Sequence, residues 1–120
     1  MTFKVLLFIY RKPSISVDEF KHLYETSHIS SVRSLVGDLF PISHTRNYIA
    51  EEGRPSSIQY DALTEMLFQD RASFEIFSAK LMEGENGAKI GQDCEQFMDT
   101  QKTSMVVVSD VKTTSRNDSG

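Results

Sequence analysis

Residues 3–10, Phe-Lys-Val-Leu-Leu-Phe-Ile-Tyr, place apolar side chains on both sides of a strand. Successive strand residues point to opposite faces, so Phe3, Val5, Leu7 and Ile9 share one side while Leu6, Phe8 and Tyr10 share the other with Lys4. The pattern returns near the far end, where Met105-Val106-Val107-Val108 is again apolar on both sides. Arg11-Lys12-Pro13 ends the first run. Ser16-Val17-Asp18-Glu19 then has the form of a capping box, in which the serine hydroxyl accepts from the Glu19 amide and the glutamate reaches back. The helix it opens is predicted to run to about Val36, with Gly37 as the stop. A second strand is predicted over Ser43–Ala50, a loop with Gly53 and Pro55 over Glu51–Gln59, and a third strand over Tyr60–Phe68. Arg71–Met82 has helical spacing, with Phe74, Phe77, Ser78, Leu81 and Met82 on one face. Gly84, Gly87 and Gly91 interrupt the next stretch, so only a short helix over Asp93–Asp99 is predicted before a fourth strand at Thr103–Ser109. The polar residues 111–120 read as a disordered tail, which leaves residues 1–110 as the folded domain.

The order β-α-β-β-α-β is that of the ferredoxin-like split βαβ unit. It implies an α+β fold, a four-stranded antiparallel sheet with both helices on one face. A chain of 120 residues with so few helices covers only that face. The other face carries Leu6, Phe8 and, on this reading, Val107, and an apolar surface of that kind invites association. A second copy packed sheet to sheet into a closed α+β barrel would bury it. A homodimer is therefore expected.

Composition narrows the function classes. With 13 Lys and Arg against 17 Asp and Glu, the formal charge is −4, which argues against nucleic acid as a partner. The longest apolar run, Val5 to Tyr10, falls far short of the ~20 residues needed to cross a bilayer, so no membrane partner is expected. No basic leader with an apolar core opens the chain. Cys94 is the single cysteine, which excludes an intrachain disulfide and points to a reducing, cytoplasmic setting. Its neighbours Asp93 and Glu95 make it a poor nucleophile. Gly84-x-x-Gly87-x-x-x-Gly91 follows no strand and lacks the Gly-Lys-Ser/Thr ending of a phosphate loop.

The candidate chemistry lies on the first helix and the second strand. At about 100° per residue, Val17, Phe20, Tyr24, His28, Ser31 and Leu35 form one stripe, with His22 and Arg33 on the far side. A histidine among core residues is costly unless it is paired or used. His28 is either a core imidazole bonded to a backbone carbonyl or the acid/base of a pocket. Tyr24, one turn away, and the hydroxyls of Ser27 and Ser31 favour the pocket. On the second strand His44, Arg46 and Tyr48 alternate onto one side. They form either a solvated edge or a cavity mouth, in which Arg46 would hold a carboxylate or phenolate and His44 would move protons. Asp61, Glu65 and Asp99 are candidate carboxylate partners. The three histidines lack metal-type spacing, although His28, His44 and a carboxylate stay open as a ligand set.

These residues also carry a resemblance. Tyr10-Arg11-Lys12-Pro13, followed by Ser16-x-x-Glu19-Phe20-x-x-x-Tyr24-x-x-x-His28, resembles the opening of EthD-domain proteins of the dimeric α+β barrel superfamily. Leu39-Phe40-Pro41-x-Ser43-His44-Thr45-Arg46-x-Tyr48-Ile49 is similar to the fungal branch in particular. So are Tyr60-Asp61-x-Leu63-Thr64-Glu65 and Glu95-x-Phe97-Met98-Asp99. The likeness spans nearly all of residues 3–110, with Tyr24 standing where the family often has Trp. It implies a cofactor-independent polyketide-tailoring enzyme, a decarboxylase, dehydratase or cyclase acting on an aromatic or polyketide-derived intermediate. His28, Tyr24 and His44 would handle protons, and Arg46, Tyr48, Ser27 and Ser31 would contact substrate. Neither metal nor cofactor is expected. A cofactor-free monooxygenase of anthrone-like substrates and a non-catalytic binding or stress-response module are the alternatives. Fold likeness does not choose among these reactions.

Overall fold

The computed structural model describes residues 2–118. Strand β1 (Phe3–Ile9) leads through a turn to helix α1 (Val17–Leu23), where the Ser16 hydroxyl accepts from the Glu19 amide at 3.1 Å, the forward half of the expected capping box. A π-helical turn (Tyr24–His28) then interrupts the α geometry before helix α2 (Ile29–Val36) resumes it. A 3₁₀ turn (Gly37–Leu39) leads to β2 (Ser43–Tyr48), which ends two residues before the predicted Ala50. Strand β3 (Ala62–Phe68) begins two residues after the predicted Tyr60, and helix α3 (Arg71–Met82) has the predicted bounds. Helix α4 (Asn86–Glu95) and strand β4 (Ser104–Val107) complete the domain. Residues 111–118 are exposed and carry only a turn, in which the Ser115 amide donates to the Asp118 carboxylate at 2.7 Å.

The π turn has a consequence along the whole helix. The amide of Ile29 donates to the Tyr24 carbonyl five residues back, so one extra residue is accommodated in that turn. Thr26 Oγ1 donates to the His22 carbonyl at 2.6 Å, a side-chain bond of the kind that loosens the helical ladder. Beyond the insertion the buried face slips by one position. Phe20 and Tyr24 are buried as the stripe predicts, but Val32 and Val36 replace Ser31 and Leu35 as the buried pair. Such a slip is invisible to a wheel drawn at constant angle.

Helix α4 corrects a second expectation. It covers residues 86–95 rather than 93–99 and runs through Gly87 and Gly91. Two interior glycines cost about 1 kcal/mol each relative to alanine. Ile90 and Cys94 on α4, with Phe97 and Met98 just beyond, offset that by packing against the two core clusters. Gly84, at φ 55°, turns the chain out of α3, and Asn86 Nδ2 donates to the Lys80 carbonyl at 2.9 Å, satisfying one of the last carbonyls of that helix. Met82, expected on the buried face of α3, is 68% exposed.

The sheet has the order β2-β3-β1-β4 and is antiparallel throughout, as the ferredoxin-like α+β reading requires. Directly paired residues share a face. Val5 pairs with Met66 on one side and Val107 on the other, so Val107 belongs to the helix-covered face. Val106, opposite Leu6, stands on the open face, which corrects the placement read from sequence. That face also carries Phe8, Leu63 and Leu67, all partly buried, with Lys4 Nζ 3.2 Å from Glu65 Oε1. The Tyr60 ring stands edge-on to Phe8 at 5.1 Å. Beneath the helices the core divides into two clusters. One is centred on Val5, Val36, Phe68 and Phe77, the other on Ile9, Phe20, Tyr24 and Phe97. Among the described residues no helix is long and apolar enough to cross a membrane.

Candidate active site

The two core clusters do not meet completely. Between them lies a cavity of about 370 Å³, floored by Leu7, Ile9 and Met66 of the sheet and walled by Val32, Phe77, Leu81, Ile90 and Met98. Gly91 also lines it, and a Cβ built there would meet nothing within 4 Å. Tyr24, His28 and His44 supply its titratable polar side chains together with Cys94, while Thr100 and Thr103 complete the lining. A mostly hydrocarbon cavity with a few convergent polar groups is the usual form of a small-molecule site.

Tyr24 is the centre of the polar group. Its ring lies 5.6 Å from that of His28 and 6.1 Å from that of His44, and its hydroxyl makes a 2.6 Å hydrogen bond with Thr64 Oγ1, which is wholly buried in the sheet. Burial pushes the Tyr24 phenol up to about 12, so it stays neutral at ordinary pH.

His28 points from the π turn toward α4. Its Nδ1 lies 2.5 Å from Asp93 Oδ2, and Ser27 Oγ donates to the other carboxylate oxygen at 3.2 Å. The wide turn brings the adjacent Ser27 and His28 to the same carboxylate. A carboxylate oxygen accepts, so the proton of the neutral ring sits on Nδ1 and Nε2 carries the lone pair. Burial lowers the His28 imidazole below its usual value, and the Asp93 hydrogen bond only partly opposes this. The ring is therefore neutral at pH 7, oriented, and able to accept a proton at Nε2.

His44 is held differently. Arg46 Nη1 lies 2.8 Å from His44 Nδ1 and donates to the His44 carbonyl at 3.0 Å. The rest of the guanidinium is committed to Glu25, Nε donating to Oε2 at 2.6 Å and Nη2 to Oε1 at 3.2 Å. Tyr48 Oη donates to the same Glu25 Oε2 at 2.5 Å. The Arg46 hydrogen bond keeps the Glu25 carboxyl below its usual value. Burial, then the Arg46 charge and then His28, bring His44 down to about 4.

The structure thus gathers Tyr24, His28 and His44 at one cavity and leaves the other predicted contacts outside it. Arg46 and Tyr48 stand on the same helix-covered side of β2 as His44, but their polar atoms are taken up by the Glu25 network and neither lines this cavity; Arg46 lines an adjoining surface depression with His44, Ile29 and Arg33. Ser27 braces Asp93. Ser31, displaced by the slip after the π turn, lines a separate surface depression with Ser30, Ser34 and Lys89. The candidate carboxylates are engaged elsewhere. Asp61 accepts from Arg54 and from the Arg11 amide, Glu65 from Lys4 and Asn47, and Asp99 from the amides of Gln101 and Lys102. The partners that matter, Asp93 and Glu25, carry no local signal, because Asp93 lies 65 residues from His28 and Glu25 lies 21 from Arg46, each pair on different elements. Burial, with Asp93 and Glu95 adding to it, pushes the Cys94 thiol up to about 11, in keeping with its inert reading. Among the described residues no three His, Cys, Asp or Glu side chains converge as metal ligands.

Together, a ferredoxin-like sheet, a cavity under its helices and oriented imidazoles define a small α+β domain with a candidate small-molecule cavity. Residues 12–101 match the EthD domain family, and the chain belongs to it. No curated protein sequence matches the chain. Among solved structures, an ethyl tert-butyl ether d (EthD) family protein from Bacillus halodurans C-125 is similar at 18% identity and a TM-score of 0.62, over 92% of this chain and all of that one (100%). HapK from Hahella chejuensis is similar at 12% identity and a TM-score of 0.61, over 98% of this chain and 100% of its own. A dimeric ferredoxin-like protein of unknown function from Jannaschia sp. CCS1 is similar at 10% identity and a TM-score of 0.60, over 91% and 99%. At these identities the likeness is one of fold.

Proposed function

We propose that the chain is a cofactor-independent enzyme that moves protons on an apolar, enolisable small molecule of aromatic or polyketide-derived type, with His28 as the general base. The observation that carries this is the Asp93–His28 pair, which presents an oriented, neutral imidazole to an otherwise hydrocarbon cavity. In the proposed step a C–H proton beside a substrate carbonyl passes to His28 Nε2, leaving an enolate and an imidazolium balanced by the adjacent Asp93. The imidazolium then returns the proton to another atom of the same intermediate. Dehydration and aldol-type cyclisation both start from such an enolate, so one pocket of this form serves either. The likeness to the fungal branch supports a polyketide-derived substrate. The apolar open sheet face and the dimeric ferredoxin-like neighbour support a working homodimer, joined sheet to sheet, that leaves the cavity on the outer, helix-covered side.

The test needs no knowledge of the natural substrate. With 2-tetralone as a probe, the protein is expected to accelerate deuterium exchange at the acidic α-carbon in heavy water, followed by proton NMR. Acceleration supports the enzyme. Retention of the probe without exchange would instead establish a binding module of the same fold.

A further inference from the structure

The two cavity histidines are held by partners of opposite character. Asp93 accepts from Nδ1 of His28, whereas Arg46 donates to Nδ1 of His44 at 2.8 Å, and a guanidinium has no acceptor to offer. The neutral His44 ring must therefore leave Nδ1 bare and carry its proton on Nε2. Among the described residues neither Nε2 has a protein partner, and Arg11 Nε is the one buried side-chain polar atom without a hydrogen bond. The two Nε2 atoms are thus unpartnered without being sealed in, and both rings line the same cavity. One offers a lone pair and the other an N–H.

We propose that Arg46 is a positioning residue that locks His44 as a neutral hydrogen-bond donor opposite the His28 base, so that the cavity selects a substrate oxygen of enol, phenol or ketone type rather than a carboxylate. The inference rests on the proton-transfer reading above and assigns that site its second half. As the α-proton leaves for His28 Nε2, negative charge gathers on the carbonyl oxygen, and the His44 N–H hydrogen bond to that oxygen strengthens. His44 transfers no proton in this step, since doing so would leave an imidazolate. A phenol satisfies both rings at once, its O–H donating to His28 and its oxygen accepting from His44. A carboxylate would meet the bare lone pair of His28 in a cavity that no Lys or Arg side chain lines among the described residues, while Arg46 is held outside it by Glu25 and His44. Glu25 fixes the guanidinium from the helix side, and Tyr48 completes the clamp by donating to Glu25. The groups that face His44 are then Arg46 on its own strand and Tyr24, Glu25 and His28 from the helix.

The direct test is the long-range ¹H–¹⁵N correlation spectrum of the uniformly labelled full chain, in which protonated and bare ring nitrogens are resolved. With three histidines, and His22→Ala to remove the solvent-facing one, assignment is simple. The expected result is Nδ1–H with bare Nε2 for His28 and the reverse for His44. Arg46→Ala is expected to release His44 into a mixture of tautomers that titrates nearer to ordinary histidine, with His28 unchanged. Arg46→Lys, which keeps the charge but cannot span Glu25 and Nδ1 together, should do the same. A proton on Nδ1 of His44 in the wild type, or a His44 signal indifferent to Arg46, overturns the proposal. This arm requires no turnover, so absence of tetralone exchange would defeat the enzymatic reading while leaving the tautomers to be judged separately. Binding supplies the second arm. 2-Naphthol is expected to outbind 2-naphthoate in the wild type, and an inverted preference that Arg46→Ala abolishes would make Arg46 an anion anchor after all. In tetralone exchange Arg46→Ala should lower kcat on the order of 10-fold with little change in KM, less than the ~10²-fold loss expected for removing the donor itself by His44→Phe.

Discussion

Of the cavity groups that change charge near neutrality, His44 departs furthest from its ordinary value, and the cost is readable in stability. The folded ring titrates at about 4 and an unfolded histidine near 6.5, so between these values the unfolded chain binds more protons. Stability therefore rises with pH across that window and is lost as pH falls through it. His44 alone accounts for a loss of about 2 kcal/mol between about pH 7 and pH 5, and His28, shifted in the same direction, adds to it. Chemical denaturation of wild type and His44→Gln at the two pH values checks this. The variant should show the shallower dependence, since its amide accepts from Arg46 without titrating. Equal slopes would place His44 in contact with water. The same residue shows why the site was only partly legible. Alternation in β2 puts His44, Arg46 and Tyr48 on one side correctly, yet nothing local says that Arg46 turns along its own strand to His44 and across to Glu25 on the helix rather than toward a ligand.

At the level of elements, the helical segment from Val17 to Val36 and helix α4 are the hardest to read, for different reasons. A π turn has no propensity signature and shifts the buried face after it by one residue, from Ser31 and Leu35 to Val32 and Val36. The capping box lies before the turn and is legible. In α4 local preference and tertiary packing disagree. Gly87 and Gly91 lower helix propensity, but Ile90, Cys94 and the residues just beyond close one side of the cavity. Gly91 then has a use, because its missing side chain leaves room. Gly91→Ala is expected to raise stability by about 1 kcal/mol, since the methyl group meets open space and the helix gains. Gly91→Leu should fill part of the cavity and weaken 2-tetralone binding with no loss in melting temperature. Unchanged affinity in that variant would mean that the probe binds elsewhere.

For the whole molecule, the element order β-α-β-β-α-β and the two-sided apolarity of β1 are enough to reach the ferredoxin-like α+β fold from the chain itself. The register of β4 is not legible in the same way, because a run of three valines looks the same when shifted by one. Pairing of Val106 with Leu6 assigns the open face and moves the informative substitution from Val107 to Val106. Val106→Asp should convert the expected dimer to monomer or aggregate in sedimentation velocity. A wild type that sediments as a monomer at micromolar concentration would contradict the sheet-to-sheet assembly. Fold and the proposed assembly matter here because a sheet-to-sheet dimer would leave the helix-covered cavity open to ligand in each protomer. The proposed chemistry rests on His28 and Asp93, and His28→Gln separates that chemistry from packing. The decisive measurement is the tetralone exchange rate of this variant beside its melting temperature. A rate lower by ~10²–10⁴-fold at a nearly unchanged melting temperature is the expected result. A variant that melts early yet exchanges deuterium at the wild-type rate would make His28 a packing residue and contradict the proposed mechanism.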